Sequence, residues 1–185
     1  MASVRNQREK ERLSRTTRLV VRVVVPVVFA LGLWYILTHV ARLGYVFSAS
    51  MEPALQKGDY YTIRLDAYNS RPPGRGEIIV YTDREGDPYV KRVIALPGEK
   101  VLIWRGTVLI DGEPLREPYL KERPQPEWHI GDVVPEDYYV VLGDNRNFSS
   151  DSRDSGYVRR GSIMGRVTRI VWPLDRAQRL TAPSY

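Results

Sequence analysis

The feature that most constrains this chain is an uncharged run at residues 23–41. As an α-helix this run would be about 28 Å long, close to the roughly 30 Å of a bilayer's hydrocarbon core. Leu19, Val20 and Val21 extend it, and the side chain of Arg22 can reach toward the lipid headgroups. The pattern predicts a single transmembrane helix over residues 19–41.

Two other interpretations of an N-terminal apolar run compete with this one. A cleavable signal peptide has an apolar core of about 7–15 residues and a small-residue cleavage site. This run is longer, and residues 42–46 offer no clear site of that kind. A buried helix that is apolar on every face is rare in a domain of this size. The membrane anchor is therefore the preferred interpretation.

The charges of the chain are distributed unevenly around this run. Residues 1–22 carry seven basic and two acidic side chains, whereas the rest carries 21 basic and 20 acidic ones. The positive-inside rule then predicts a cytoplasmic tail at residues 1–18 and an extracytoplasmic domain at residues 42–185. We expect a single-pass membrane protein. A nucleic-acid-binding domain would carry its own basic patch, so no nucleic-acid partner is expected.

Beyond Gly44 the sequence has the pattern of a β protein. Short segments rich in Val, Ile and Tyr are separated mostly by Gly or Pro, and no long helical period is present. We predict a mainly β body of antiparallel coiled sheets, a sandwich or distorted barrel, tethered by the N-terminal transmembrane helix. Residues 115–135, with four prolines, are predicted to form a surface excursion. The predicted strands are residues 60–65, 77–81, 89–95, 100–104, 107–110, 138–142 and 163–172.

Ser50 and Lys91 form a candidate pair for chemistry. A serine hydroxyl is a poor nucleophile until a base takes its proton, and an amine can do so only when it is neutral. Strand alternation places Lys91 on the same face as Tyr89, Val93 and Ala95, so its amine would meet apolar surroundings. Such desolvation lowers the pKa of a lysine. Taken alone, however, each residue also fits an ordinary role, as a turn serine and as an edge-strand lysine.

Other kinds of catalytic site, and metal sites, have less support from the composition. The chain has no cysteine, which excludes a disulfide framework, a cysteine nucleophile and a cysteine zinc site. Of the two histidines, His39 falls in the predicted span and His129 in the proline-rich stretch. Sequence does not exclude His129, but neither is well placed for a Ser-His-Asp triad or a histidine metal site. We expect no metal and no cofactor.

Four segments of the sequence resemble the boxes of one protein family. They occur in the family's order and spacing after a membrane span, and together they resemble bacterial type I signal peptidases, although each box alone is a weak signal. The resemblance implies a serine endopeptidase of the bacterial cytoplasmic (inner) membrane. Such an enzyme removes N-terminal signal peptides from exported preproteins after small residues, at A-x-A-like sites. The four segments are residues 50–53, 75–81, 89–99 and 143–153.

The same resemblance implies roles for individual residues. Ser50 matches the nucleophile and Lys91 the general base. Ser48 matches a hydroxyl that forms an oxyanion hole with the Ser50 amide, and Ser149 matches a serine that orients the lysine amine. The residues matching the shallow substrate pockets are Met51, Leu55 and Val90, and those matching a supporting charged shell are Arg92, Asp144, Asp151 and Arg153. The implied partners are the signal peptides of preproteins, membrane lipids and, by proximity, the secretion translocon.

The sequence departs from the common family pattern at Ala49, Ala54 and residues 147–148 without losing a reactive group. The short stretch between Lys91 and Gly143 predicts that the large extra β domain of some members is missing. Two rival functions remain. One is a related Ser-Lys peptidase, such as a conjugation-system maturase or a self-cleaving repressor; the latter would need a cleavable segment and a DNA-binding domain, which the tail does not provide. The other is a membrane-tethered β domain that binds exported peptides without chemistry.

Overall fold

The computed structural model describes residues 17–35, 41–122, 124 and 131–185, and the chain divides into an N-terminal unit and a body. The N-terminal unit contains one helix, α1, at Thr17–Tyr35, which is long and apolar enough to cross a membrane. It is π-helical over Val20–Val24 and α-helical over Val25–Tyr35. None of its residues is buried in the protein.

The end of the predicted span differs from the structure. Ala41, its last residue, is the first residue of β1 (Ala41–Tyr45), because its backbone pairs with Arg64 across an antiparallel ladder. The rest of the predicted span after Tyr35, and residues 1–16 of the predicted tail, lie outside the described residues. The transmembrane assignment itself stays a prediction.

The body is built from two antiparallel sheets, which confirms the predicted fold class. The larger sheet has the order β1-β2-β11-β3-β4-β9-β10, with β12 also paired to β11, and the smaller has the order β7-β6-β5-β8. The strands after β1 are β2 (Tyr60–Arg64), β3 (Ile78–Thr82), β4 (Pro88–Ala95), β5 (Lys100–Trp104), β6 (Thr107–Ile110), β7 (Glu113–Pro114), β8 (Gly131–Val133), β9 (Tyr138–Leu142), β10 (Val158–Arg159), β11 (Ile163–Trp172) and β12 (Gln178–Arg179).

All seven predicted strands are present in the structure, with ends that differ by at most one residue. The strands that the sequence did not predict are short, from two to five residues. A strand of that length shows too little alternation to be recognised. Within the described part of the body the one α-helix is α2, Ser152–Ser155, which agrees with the missing helical period.

Strand β4 occupies the centre of the body's packing. Val90 packs against one buried cluster, Val93 belongs to a second, and Ile94 and Ala95 belong to a third that also covers the smaller sheet. Because its side chains enter all three clusters, β4 cannot shift without disturbing the whole core. The strand that carries Lys91 is therefore held rigidly on both faces.

The long strand β11 lies beside β2 in the larger sheet and packs closely against it at Gly165. A Cβ atom at this position would lie 2.5 Å from the carbonyl oxygen of Arg64 and 3.0 Å from a side-chain carbon of Ile63. Contacts this short are repulsive, and the nearest of them is to backbone, which cannot move aside as a flexible side chain can. Gly165 therefore permits the close packing of two neighbouring strands.

We predict that Gly165→Ala lowers the free energy of unfolding by about 1–3 kcal/mol, the usual cost of overpacking. Gly161→Ala is the matched control, because a Cβ there would meet no atom within 4 Å; its effect should stay below about 0.5 kcal/mol. Urea unfolding of the full chain in detergent, followed by circular dichroism, measures both. Equal stability of the two variants would show that the β2–β11 approach is not tight.

Candidate active site

Lys91 lies where β4 changes its neighbours. The strand pairs with β3 from Pro88 to Arg92, but with β9 only from Arg92 to Ala95. In the described part of the body, residues 88–91 therefore have a strand on one edge and none on the other. The segment that carries Ser50 contacts β4 here, through the side chain of Lys91.

Three of the predicted site residues come together at this point. The Nζ atom of Lys91 is hydrogen-bonded to the Oγ atom of Ser50 at 2.9 Å, and both side chains are buried. The Ser48 hydroxyl donates a hydrogen bond of 3.2 Å to the same Ser50 oxygen. The serine oxygen is thus within reach of a potential base and of a second hydroxyl.

The surroundings of Lys91 favour a neutral amine. Burial lowers the pKa of Lys91 below its ordinary value of 10.5, since a charged ammonium is poorly solvated there. The negative charges of Asp151 and Asp144 oppose this effect, and the positive charge of Arg153 adds to it. The aromatic ring of Tyr89, 5.8 Å from Nζ, forms part of the apolar face that the alternation predicted.

Asn145 fixes the main chain around Ser50. Its backbone N–H donates to the Ser50 carbonyl oxygen and its side-chain amide to the Ala49 carbonyl oxygen, both at 3.1 Å. Among the described residues, no hydrogen bond engages the backbone N–H of Ser50 itself. That N–H is therefore available as a donor beside the Ser50 hydroxyl.

Gly143 permits the close approach of two loops at the site. A Cβ atom on Gly143 would lie 2.2 Å from the Ser149 hydroxyl and 2.4 Å from the Ser50 carbonyl oxygen. Any larger residue would push the two serines apart. The sequence singled out the turn-rich segment at 143–153, but not this contact.

The hydrogen-bond partner of the Ser149 hydroxyl is not the predicted one. It donates to Asp151 Oδ2 at 2.7 Å, and among the described residues no hydrogen bond joins it to the Lys91 amine. A carboxylate is a stronger hydrogen-bond acceptor than an amine, so the hydroxyl donates its hydrogen bond to Asp151. Asp151 also accepts from the Gly143 N–H and the Arg153 guanidinium, so it organises the loop. The predicted orienting bond is not formed here, and the orienting role of Ser149 stays a prediction.

On the other face of β4, Arg92 forms a buried ion pair with Asp144. Its guanidinium donates to both carboxylate oxygens, at 2.8 and 2.6 Å, and to the Gly76 carbonyl oxygen at 2.7 Å. Burial opposes both charges and raises the pKa of Asp144, but the hydrogen bonds from the guanidinium raise the pKa of Arg92 despite burial. We take the pair as ionic because the two hydrogen bonds are short and bidentate. The pair joins β4 to the loop at 143–153.

Sequence reasoning missed the contribution of the proline-rich stretch. Arg146 pairs with Glu117, both nearly buried, and the ring of Tyr119 lies 4.0 Å from the Arg92 guanidinium. The predicted surface excursion is therefore partly wrong, because its first residues pack onto the loop at 143–153. No local signal reveals this, since Glu117 and Arg146 lie far apart in sequence. His129 lies outside the described residues.

The predicted pocket residues share one apolar cluster. Met51 and Leu55 are buried in it, and Val90 is half-buried against it. Met51 directly follows Ser50 and Val90 directly precedes Lys91, so the cluster adjoins the two candidate reacting residues in sequence. Their role in binding small side chains stays a prediction. No group of three or more His, Cys, Asp or Glu side chains suited to a metal ion occurs in the described residues.

The chain matches known proteins over most of its length. The family model "Signal peptidase, peptidase S26" matches residues 16–172. A signal peptidase I of Leptolyngbya laminosa is 43% identical over 169 residues, covering 86% of this chain and 81% of the relative. A probable signal peptidase I-2 of Synechocystis is 41% identical, covering 85% and 74%. A crystal structure of a signal peptidase I from Enterococcus faecalis is 36% identical and covers 53% of this chain and 98% of that one, with a TM-score of 0.47.

The lowered pKa of Lys91 makes a prediction about stability. Between that pKa and 10.5 the unfolded lysine binds a proton that the folded one lacks. The free energy of unfolding should therefore rise with pH in this window, and the part due to Lys91 is lost as the pH falls through the folded pKa. Lys91→Met should abolish this rise. Urea unfolding of the full chain in detergent at several pH values measures it.

The matched control for this experiment is Lys100→Met, because Lys100 lies exposed at the start of β5. Its pH dependence should equal that of the unchanged protein. If Lys91→Met also retains the unchanged slope, then the amine of Lys91 is not desolvated.

Proposed function

The chain belongs to peptidase S26, the family of signal peptidases, which are serine proteases that remove signal peptides, and we propose that it does so with Ser50 as nucleophile and Lys91 as general base. The observation that carries this proposal is the buried hydrogen bond of 2.9 Å between Lys91 Nζ and Ser50 Oγ. A desolvated amine in direct contact with a serine hydroxyl is the arrangement that a lysine base requires.

In the first step, neutral Lys91 takes the hydroxyl proton as Ser50 Oγ attacks the carbonyl carbon of the scissile bond. The lowered pKa of Lys91 supports this role, because an ordinary lysine would be protonated near neutral pH. The product of this step is a tetrahedral intermediate with a negative oxygen and a protonated Lys91.

The backbone N–H of Ser50 and the hydroxyl of Ser48 stabilise the negative oxygen. The N–H is not engaged by any described residue, and the Ser48 oxygen lies 3.2 Å from the Ser50 oxygen. A small rotation of the Ser48 hydroxyl would direct its proton from Ser50 to the substrate oxygen. Donors that are positioned before the charge develops stabilise it most effectively.

The protonated Lys91 then donates its proton to the leaving amine, and the bond between carbonyl carbon and nitrogen breaks. An acyl-enzyme on Ser50 remains. Lys91, neutral again, takes a proton from a water molecule that attacks the ester carbonyl carbon. It then donates this proton to Ser50 Oγ as the bond between Oγ and the carbonyl carbon breaks, which releases the signal peptide and restores the serine. Each proton removed by Lys91 is thus returned within the same cycle.

The substrate binds as an added strand along the free edge of β4. Residues 88–91 have no strand partner there in the described part of the body, and an extended peptide can use such an edge for its backbone hydrogen bonds. Its alternate side chains reach the cluster of Met51, Leu55 and Val90, where small side chains are accepted. This arrangement gives the A-x-A-like preference.

The N-terminal helix anchors the enzyme in the bacterial cytoplasmic membrane. The apolar helix at Thr17–Tyr35 and the basic residues before it support this placement, with the N-terminus in the cytoplasm and the β body outside. Anchored there, among membrane lipids and near the secretion translocon, the site meets signal peptides as they emerge.

We expect Ser50→Ala and Lys91→Ala to lower kcat/KM for a preprotein with an A-x-A site by about a thousandfold or more, since each removes one half of the reacting pair. Ser70→Ala and Lys100→Ala are matched controls at exposed positions outside the site. In the unchanged enzyme, kcat/KM should rise with pH through the lowered pKa of Lys91. The assay uses full-length enzyme in proteoliposomes.

Circular dichroism of each variant shows whether it is folded. The dyad assignment is wrong if a folded Ser50→Ala or Lys91→Ala variant cleaves at the unchanged rate. Covalent labelling of the unchanged enzyme at Ser50 by a penem would separate a peptidase from a domain that only binds peptides.

A further inference from the structure

A cleft of about 670 Å³ lies beside the site but outside the groups that the reaction uses. Its size falls within the range of about 300–1,000 Å³ that is typical of binding sites. Tyr81 and Tyr89, whose rings stack at 5.9 Å, line it where β3 and β4 pair. Residues 82–85 also line it from the end of β3 and the turn that follows. Ser150 lines it from the loop at 143–153, and residues that include Tyr157 and Arg159 line it from the segment after that loop.

The cleft begins next to the reacting groups. The Tyr89 ring that lines it lies 5.8 Å from the Lys91 amine, on the same face of β4. Ser150, on the other side of the cleft, directly follows Ser149. A polypeptide that leaves the site past the Lys91 amine would therefore enter the cleft directly.

The alternation of β4 separates the two halves of a substrate. Val90 points toward the cluster of Met51 and Leu55, which accepts the signal-peptide side of the cut under the proposed function. Lys91 and Tyr89 point the other way, and Lys91 must deliver its proton to the amine of the leaving half. The leaving half is the mature protein, so its chain departs on the face where the cleft lies.

We propose that this cleft binds the first residues of the mature polypeptide, just after the cut, and that Arg159 responds to their charge. The proposal rests on the proposed function and extends it to the part of the substrate that is not removed. It makes the cleft a second determinant of which preproteins are cleaved efficiently.

The lining of the cleft suits a polar peptide better than an apolar signal sequence. It presents the side chains of tyrosines and serines together with both acidic and basic groups. The carboxylate of Asp83 accepts the backbone N–H groups of Glu85 and Asp87, and that of Asp154 accepts the N–H of Asp151. Arg84 and Arg159, by contrast, are exposed and form no ion pair with any described residue. An acidic side chain early in the mature segment would supply the partner.

The test uses two preproteins with the same signal peptide and A-x-A site. They differ only in the second to fifth residues after the cut, which are rich in glutamate in one and in lysine in the other. For each enzyme the ratio of kcat/KM for the acidic substrate to that for the basic substrate is measured in proteoliposomes. Arg159→Glu should lower this ratio by about five- to tenfold, as expected for reversing the sign of one exposed interaction.

The matched control is Arg169→Glu, because Arg169 is also exposed but lies on β11 and does not line the cleft. It should leave the ratio unchanged, which separates a local effect from the change in overall charge. If Arg159→Glu and the unchanged enzyme give the same ratio, or if Arg169→Glu shifts it equally, the proposal is overturned.

A second variant tests the cleft without a change of charge. Tyr157→Ala should raise KM for the full preprotein but leave cleavage of a peptide that ends one residue after the cut unchanged, because the short peptide does not reach the cleft. Equal losses on both substrates would indicate a general structural defect and contradict the proposal. If the unchanged enzyme cuts neither substrate, the proposed function itself fails; if it cuts both and the variants show no selective loss, only the cleft assignment fails.

Discussion

The desolvation of Lys91 is the constraint on which the rest of this structure depends. A lysine in water would be an ammonium ion, and its proton would leave it unable to activate Ser50. The body prevents this by placing β4 at the junction of three buried clusters, so that the amine lies among apolar groups and against one hydroxyl. Burying an amine opposes folding wherever it must be charged, so the core supports the chemistry at some cost in stability.

The loop at 143–153 holds the second half of the site against that strand. It approaches Ser50 closely because Gly143 has no side chain, and Asn145 fixes the Ser50 carbonyl oxygen. Two ion pairs then fasten it, one between Asp144 and Arg92 on β4 and one between Asp151 and Arg153 within the loop. These charged groups, and the ion pair between Glu117 and Arg146, hold the geometry of the site. Among the described side chains, the Oγ atom of Ser50 is hydrogen-bonded only to Lys91 and Ser48.

Much of the fold and of the site could be predicted from the sequence. The features that could not be predicted have physical reasons. Alternation along β4 is local, so it revealed both the strand and the apolar face around Lys91. The family resemblance indicated that Ser48 and Ser149 belong to the same site. The partner of Ser149 could not be predicted, because it depends on competition among acceptors that only the folded loop brings together. The contacts of Glu117 and Tyr119 join distant segments, and β1 is too short for its alternation to distinguish it from the end of the apolar run. The role of Asn145 follows from backbone geometry, which leaves no pattern in the sequence.

Direct titration of the Lys91 amine tests the central claim most simply. Lysine labelled with carbon-13 at Cε reports the protonation of its own amine by NMR, and comparison with a chain that lacks Lys91 assigns the signal. The account predicts that Lys91 titrates clearly below its ordinary value of 10.5, and that it still does so in Ser50→Ala, because burial is the main cause. Titration near 10.5 would mean that the amine is charged at neutral pH, and it would contradict Lys91 as the general base.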